Sequence, residues 1–190
     1  MRPCSFAAGA WIRPAGPDDA EAWVRTYLDA LAAAYAELMP PEFAIQQRAR
    51  AAEFVERYRA VFAARCADPD EPHRAWYAED AAGPVGIVEV RLGPADWEQQ
   101  AGFPPAGPRR QLAKLYTLPR VHGSGLGQAL LDTAIGTEPA YLWIMAGNPR
   151  AEAFYRRNGF VPDGLAVRAG RSWFDRPAFR MHRMPPDARA

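Results

Sequence analysis

Residues 112–131 read Leu112-Ala113-Lys114-Leu115-Tyr116-Thr117-Leu118-Pro119-Arg120-Val121-His122-Gly123-Ser124-Gly125-Leu126-Gly127-Gln128-Ala129-Leu130-Leu131, and the reading of this stretch decides the fold. Leu112 to Leu118 form an extended apolar segment that Pro119 ends, and Leu126, Leu130, Leu131 and Ala134 recur at the spacing of one helix face. Between them stand three alternating glycines, Gly123, Gly125 and Gly127. Glycine lets the backbone bend and approach a ligand with no Cβ in the way. The opening turn of a helix adds unpaired N–H groups and a partial positive charge. A phosphate or pyrophosphate is the natural guest of such a turn.

Three nucleotide-binding patterns compete for it. A Walker loop ends in Gly-Lys-Ser/Thr, whereas Gly127 is followed by Gln128 and Ala129. A dinucleotide fingerprint counted from Gly123 would need glycine where Gln128 stands. The third pattern is strand, proline, short loop, glycines and amphipathic helix, and it resembles the acyl-CoA pyrophosphate loop of the GCN5-related N-acetyltransferase (GNAT) superfamily. That family commonly has Gln or Arg where His122 stands, so the chain departs there. A second segment supports the resemblance. Tyr141-Leu142-Trp143-Ile144-Met145 has the length and apolarity of a strand, and Asn148-Pro149-Arg150-Ala151-Glu152-Ala153-Phe154-Tyr155-Arg156-Arg157-Asn158-Gly159-Phe160 follows it. Asn148 can cap a helix that begins at Pro149 and stops at Gly159. This is similar to the second CoA-binding motif of the same superfamily, and it lies at the family's usual distance after the loop.

The remainder of the chain bounds the reading. A length of 190 residues suits one domain over 1–190 with a real core. The balance of 23 basic against 22 acidic residues offers no field for nucleic acid and no polybasic membrane patch. Cys4 and Cys66 are too few for a disulfide framework or a metal site. No stretch reaches transmembrane length and the N-terminus lacks a signal-peptide core, so a cytoplasmic protein is expected. Reading onward from the first residues, Ala10–Arg13 is a strand. A helix opens near Pro17 and carries the stripe Val24, Tyr27, Leu28, Leu31, Tyr35 and Leu38, and a second helix runs from about Glu42 to Arg65. Residues 74–79 and 85–91 pair as a hairpin, 93–108 read as an irregular surface loop, and Phe160–Val161 and 177–183 close the chain as strands.

This order of elements follows the GNAT order. The resemblance therefore implies an α/β fold: a mixed central sheet of about seven strands, splayed at the fourth and fifth, with about four flanking helices. It further implies acetyl-CoA as cosubstrate. Leu115, Tyr116, Thr117 and Leu118 would border the pantetheine arm. His122, Gly123, Ser124, Gly125, Leu126, Gly127 and Gln128 would hold the pyrophosphate, and Asn148, Arg150, Ala151 and Tyr155 the thiol end. The reaction implied is direct attack of a primary amine on the thioester, which needs a base, an oxyanion donor and an acid. Tyr155 stands where the family commonly has its general acid, and a backbone N–H near Leu118 would serve the oxyanion. Eleven residues before His122, where some members have a glutamate base, stands Gln111, which cannot accept the proton. Glu89, on the neighbouring strand amid apolar residues, is the replacement base, its proton affinity raised by burial. Its plainer reading is the solvent face of an alternating strand, and a chain of waters with no single base is the alternative mechanism.

The acceptor expected first is a small-molecule amine or amino acid derivative, and a protein N-terminus or lysine second. Tyr35, Met39 and Phe43 would wall its side, with Glu37, Glu42, Asp96 or Glu98 to attract an ammonium. A homodimer through Trp173 and Phe174 is a further expectation. The reading from another class is a catalytically silent acyl-CoA-binding module.

Overall fold

The computed structural model describes residues 9–68 and 70–185. Its strands are β1 (Trp11–Pro14), β2 (Arg74–Asp80), β3 (Gly83–Leu92), β4 (Arg110–Thr117), β5 (Ala140–Met145), β6 (Val161–Arg168) and β7 (Pro177–Arg183). They form one open sheet in the order β1-β2-β3-β4-β5-β7-β6. The pairs β1–β2, β2–β3, β5–β7 and β6–β7 are antiparallel. β4 and β5 meet in parallel at Gln111↔Tyr141, near the start of both strands. The mixed seven-stranded sheet expected from the sequence is thus present.

The helices are α1 (Ala20–Tyr35), α2 (Pro41–Ala49), α3 (Ala51–Ala67), α4 (Asp96–Gln100), α5 (Leu126–Ile135) and α6 (Pro149–Arg157). That is two more than the sequence reading gave, and both additions have a physical reason. The helix expected from Glu42 to Arg65 breaks at Arg50, whose backbone lies at φ −93, ψ 7. Its buried residues Phe43, Gln47, Phe54, Tyr58 and Phe62 keep helical phase across the break, so periodicity carries no sign of it. Arg50 is held there by two hydrogen bonds to Glu53, at 3.0 and 2.7 Å. The expected loop 93–108 contains α4, because Glu98 turns back to accept from the Ala95 N–H at 3.0 Å and so closes the first helical turn. None of the helices among the described residues is long and apolar enough to cross a membrane.

Among the described residues the chain forms two compact units: those up to Val90 with Lys114–Gly136, and Arg91–Ala113 with those from Thr137 onward. In the first, β3 is buried from Val85 to Val90 because helices cover both of its faces. Strand alternation puts Gly86, Val88 and Val90 on one face and Val85, Ile87 and Glu89 on the other. Gly86 lets α5 sit close: a Cβ there would stand 2.9 Å from Cδ1 of Leu130. The opposite face meets an aromatic layer in which Trp23 of α1 packs on Tyr58 and Phe62 of α3, with ring centroids 4.1 and 5.8 Å apart.

In the second unit β7 lies between β5 and β6, and Met181 and Phe160 are fully buried. β6 alternates between exposed and half-buried residues, as befits an edge strand. Trp97, Phe103 and Trp143 stack at centroid distances of 5.2 to 6.0 Å and fold the 93–108 segment onto β5.

Candidate active site

The glycine turn expected to hold pyrophosphate is formed as a left-handed entry to α5. Gly123 and Gly125 have φ of +82 and +87, which L side chains rarely adopt. A Cβ built on either would meet nothing within 4 Å, so the space beside both glycines is open. The first helical bond is Ala129 N–H to Gly125 O at 3.0 Å, and of the earlier amides of α5 the Leu126 N–H donates to Ser124 Oγ at 3.4 Å. The Ser124 hydroxyl donates to Val121 O at 2.7 Å, and the His122 ring reaches back to Thr117 O at 3.1 Å. Arg120 pairs with Asp80 and bonds Pro84 O at 3.3 Å, which fixes the loop to the β2–β3 turn. That guanidinium holds the Asp80 carboxyl below its usual range. Backbone amides, left-handed glycines and unfilled space suit a diphosphate, and the residues present fit the CoA pyrophosphate.

Glu89 lies on the helix-covered face of β3 and is fully buried. The expectation of apolar neighbours is corrected: its carboxylate is the acceptor of a polar cluster. Oε2 accepts from the Tyr58 hydroxyl at 2.6 Å and from Lys114 Nζ at 2.8 Å, and Oε1 faces His73 Nε2 at 2.7 Å. Burial first, and then the Glu89 charge, push the Tyr58 hydroxyl well above its ordinary range, so it remains a donor. Lys114 also lies over the rings of Tyr27 and Tyr58, 5.3 and 5.5 Å from their centroids. Arg57 donates to the Tyr58 oxygen at 3.2 Å. Tyr58, His73 and Lys114 were not foreseen as site residues, and no local spacing links positions 58, 73, 89 and 114.

Along β4 the Leu118 N–H donates to Val85 O at 2.9 Å, so the amide expected to serve an oxyanion is already paired with β3. Alternation along the strand turns the N–H groups of Leu115 and Thr117 the other way. The Tyr116 ring stacks edge-on to Tyr27 at 5.3 Å. Of the proposed acceptor wall, Tyr35, Met39 and Phe43 are all buried, and Tyr35 and Phe43 meet edge to face at 6.0 Å.

The second motif belongs to the other unit. Asn148 caps α6 as expected, accepting from the Ala151 N–H at 3.1 Å, and Gly159 ends the helix region at φ +81. Arg150 is exposed, while Asn148, Ala151 and Tyr155 are half-buried. The Tyr155 ring is set between Phe154 and Phe160, at 5.3 and 5.7 Å. Gln111 is buried and donates to Glu98 Oε1 at 2.7 Å, which gives this amide a packing role. Glu98 is corrected as an acceptor-side charge, because its Oε1 is taken by Ala95, Gln111 and, at 3.4 Å, the Tyr141 hydroxyl. Trp173 and Phe174 are half-buried in the β6–β7 loop, where Phe174 and Asp175 have φ of 53 and 49.

Comparison with known proteins agrees with this geometry. The sequence pattern of the family described as acetyltransferase (GNAT) domain matches residues 71–162. Among solved structures the chain is similar to a PaiA N-acetyltransferase from Thermoplasma acidophilum in complex with coenzyme A. The TM-score is 0.68 at 17% identity, with 93% of this chain and 99% of that one covered. It is also similar to a GCN5-related N-acetyltransferase from Rhodopseudomonas palustris (TM-score 0.62, 17% identity, 97% and 99% covered). A spermidine N-acetyltransferase chimera that includes Vibrio cholerae sequence aligns at TM-score 0.57 and 17% identity, covering 93% and 95%. Identities at this level speak for the fold. No curated protein matches the sequence.

Proposed function

We propose that this protein, which belongs to the GNAT superfamily of acetyltransferases, moves the acetyl group of acetyl-CoA to a primary amine of a small molecule or amino acid derivative by direct attack on the thioester. The observation that carries the reading is the loop before α5. Two left-handed glycines with open space at both Cβ positions lead into a helix N-terminus, an arrangement that suits a diphosphate. The structure of a similar fold in complex with coenzyme A supports the same reading.

The chemistry divides among residues of this chain. Glu89 is too enclosed to meet the acceptor ammonium, being fully buried with its oxygens taken by Tyr58, Lys114 and His73, so the ammonium loses its proton to a chain of waters with no single base. A β4 amide turned away from β3, at Leu115 or Thr117, donates to the oxyanion as the carbonyl becomes tetrahedral. Tyr155 gives its phenolic proton to the departing thiolate, and the rings of Phe154 and Phe160 set its position. Tyr35, Met39 and Phe43, at the junction of α1 and α2, form the apolar side of the acceptor site.

Thiol release from acetyl-CoA in the presence of a pooled amine library tests the proposal. Release that depends on an amine, with the acetylated product found by mass spectrometry, is the expected outcome. CoA binding without any transfer would replace the enzyme with a silent acyl-CoA-binding module.

A further inference from the structure

The segment 93–108 carries four prolines, Pro94, Pro104, Pro105 and Pro108, each of which fixes its own φ and offers no N–H. The stack of Trp97, Phe103 and Trp143 holds this stiff segment on β5. Between the segment and residues Tyr141 and Arg180 lies a cavity of about 430 Å³, within the roughly 300–1,000 Å³ of small-molecule sites. All of its lining residues belong to the second unit, and none of them takes part in the acyl transfer. Pro94, Phe103, Pro105, Ala106 and Pro108 make much of the wall apolar.

The charged residues of the wall set what it can hold. Glu98 is only 2% exposed, and its Oε1 accepts from the Ala95 N–H, the Gln111 amide and the Tyr141 hydroxyl. All three donors are neutral, so they stabilise the carboxylate without cancelling its charge. Its Oε2 has no hydrogen-bond partner among the described residues. Burial first, and then the Glu98 charge, push the Tyr141 hydroxyl above its ordinary range, so it remains a donor. Arg109 is exposed and makes no ion pair among the described residues. Arg180, 5% exposed, has its charge cancelled: Nε donates to Asp163 and Nη1 to Pro104 O at 2.7 Å. Its Nη2 has no partner among the described residues and is a spare donor. The wall therefore carries one uncancelled negative charge at its buried end and one uncancelled positive charge at its open end.

We propose that this cavity is a binding site for a free amino acid with an apolar side chain, its ammonium toward Glu98 and its carboxylate toward Arg109 and Arg180 Nη2. A ligand with a carboxylate alone is opposed by Glu98, and one with an amine alone by Arg109. A zwitterion meets both charges, and its hydrogen bonds to ionised partners are the strong kind. The apolar side chain lies against Phe103 and the prolines, which have no N–H to leave unpaired behind it. Because the proline backbone is already fixed, little ordering of the wall accompanies binding. The inference goes beyond the transferase reading and does not depend on it.

Isothermal titration calorimetry of the full chain with L-leucine and L-phenylalanine, in the absence of acetyl-CoA, tests the inference. Phenethylamine and hydrocinnamate, which keep the ring of phenylalanine but one charge each, are titrated alongside. The expected result is saturable binding of at least one of the two amino acids, with both single-charge analogues weaker than phenylalanine by about 10-fold or more. Arg109→Gln, at an exposed residue with no ion pair to break, should weaken the amino acid by about 10-fold. Ala106→Trp fills the cavity and should abolish binding, and circular dichroism checks that it folds. If Ala106→Trp fails to fold, Arg109→Gln decides alone. No heat from either amino acid at millimolar concentration would overturn the inference. An analogue that binds as tightly as phenylalanine would do the same, as would a folded Arg109→Gln with wild-type affinity, which would place the ligand elsewhere. Each of these failures leaves the acetyl transfer reading untouched, since no acetyl donor is present.

Discussion

Lys114→Met removes the cation that faces Glu89 while keeping a side chain of similar length. In the native protein the ammonium is 2.8 Å from a carboxylate with no solvent exposure and sits over two tyrosine rings. Breaking a buried pair from one side costs about 3–5 kcal/mol, chiefly because the remaining charge is stranded. Tyr58 and His73 still bind the Glu89 oxygens, at 2.6 and 2.7 Å, which places the expected loss at the lower end, about 3 kcal/mol. With a slope of about 1–3 kcal/mol/M, the urea midpoint should fall by about 1–3 M. The double variant Lys114→Met with Glu89→Gln removes both charges and leaves an amide oxygen for Tyr58, so it should recover to within about 1 kcal/mol of wild type. Equilibrium urea unfolding at pH 7.5, read by tryptophan fluorescence, measures all four corners of the cycle. A single variant within about 1 kcal/mol of wild type, or a double variant as unstable as the sum of the singles, would refute the claim that Lys114 neutralises a buried Glu89 charge.

Three further outcomes follow from named contacts. Gly125→Val should keep the fold, since its Cβ position meets no protein atom, but the side chain must adopt φ +87 at a cost of about 1–2 kcal/mol and would fill the cradle; calorimetry should find CoA binding weakened by about 100-fold or more. Tyr155→Phe keeps the ring contacts with Phe154 and Phe160, so CoA affinity should hold while kcat drops about 10²-fold, with a smaller drop for thioesters of more acidic thiols. Asp19 binds Arg13 through both oxygens, at 2.6 and 2.7 Å, and this pairing holds its carboxyl below the ordinary range. Its contribution is therefore present above about pH 4 and is lost as pH falls through the lowered native value, so Asp19→Asn should be less stable than wild type at neutral pH, with the difference shrinking in acid in denaturation curves.

The parts of the molecule that could be read from the sequence are those whose causes are local. The turn into α5 needs left-handed glycines at the mouth of a helix, and Gly123, Gly125 and the Leu126 stripe stand within one short run. The α6 cap needs an asparagine three residues before the amide it binds, and Asn148 and Ala151 meet that spacing. Helix breaks obey the same rule in reverse. At Arg50 no glycine or proline interrupts the chain and the buried stripe stays in phase, so nothing local announces the turn between α2 and α3.

Features fixed by register or by distant partners were not legible in the same way. Whether the Leu118 N–H is available depends on which β3 carbonyl lies opposite it, and the register gives that place to Val85. Glu89 is the sharper case. On an alternating strand a lone glutamate among valines reads as the solvent face, and in isolation that reading is sound. It fails here because α3 crosses this face of the sheet and brings Tyr58, because Lys114 enters from β4, and because the chain before β2 supplies His73. The three donors make burial of the carboxylate tolerable, and the carboxylate in turn gives the lysine, the tyrosine and the histidine a shared acceptor. Such mutual dependence has no signature in any one segment. The glycine turn before α5 is thus a local property of a short stretch of chain, while the polar cluster around Glu89 exists only once four separated segments have come together.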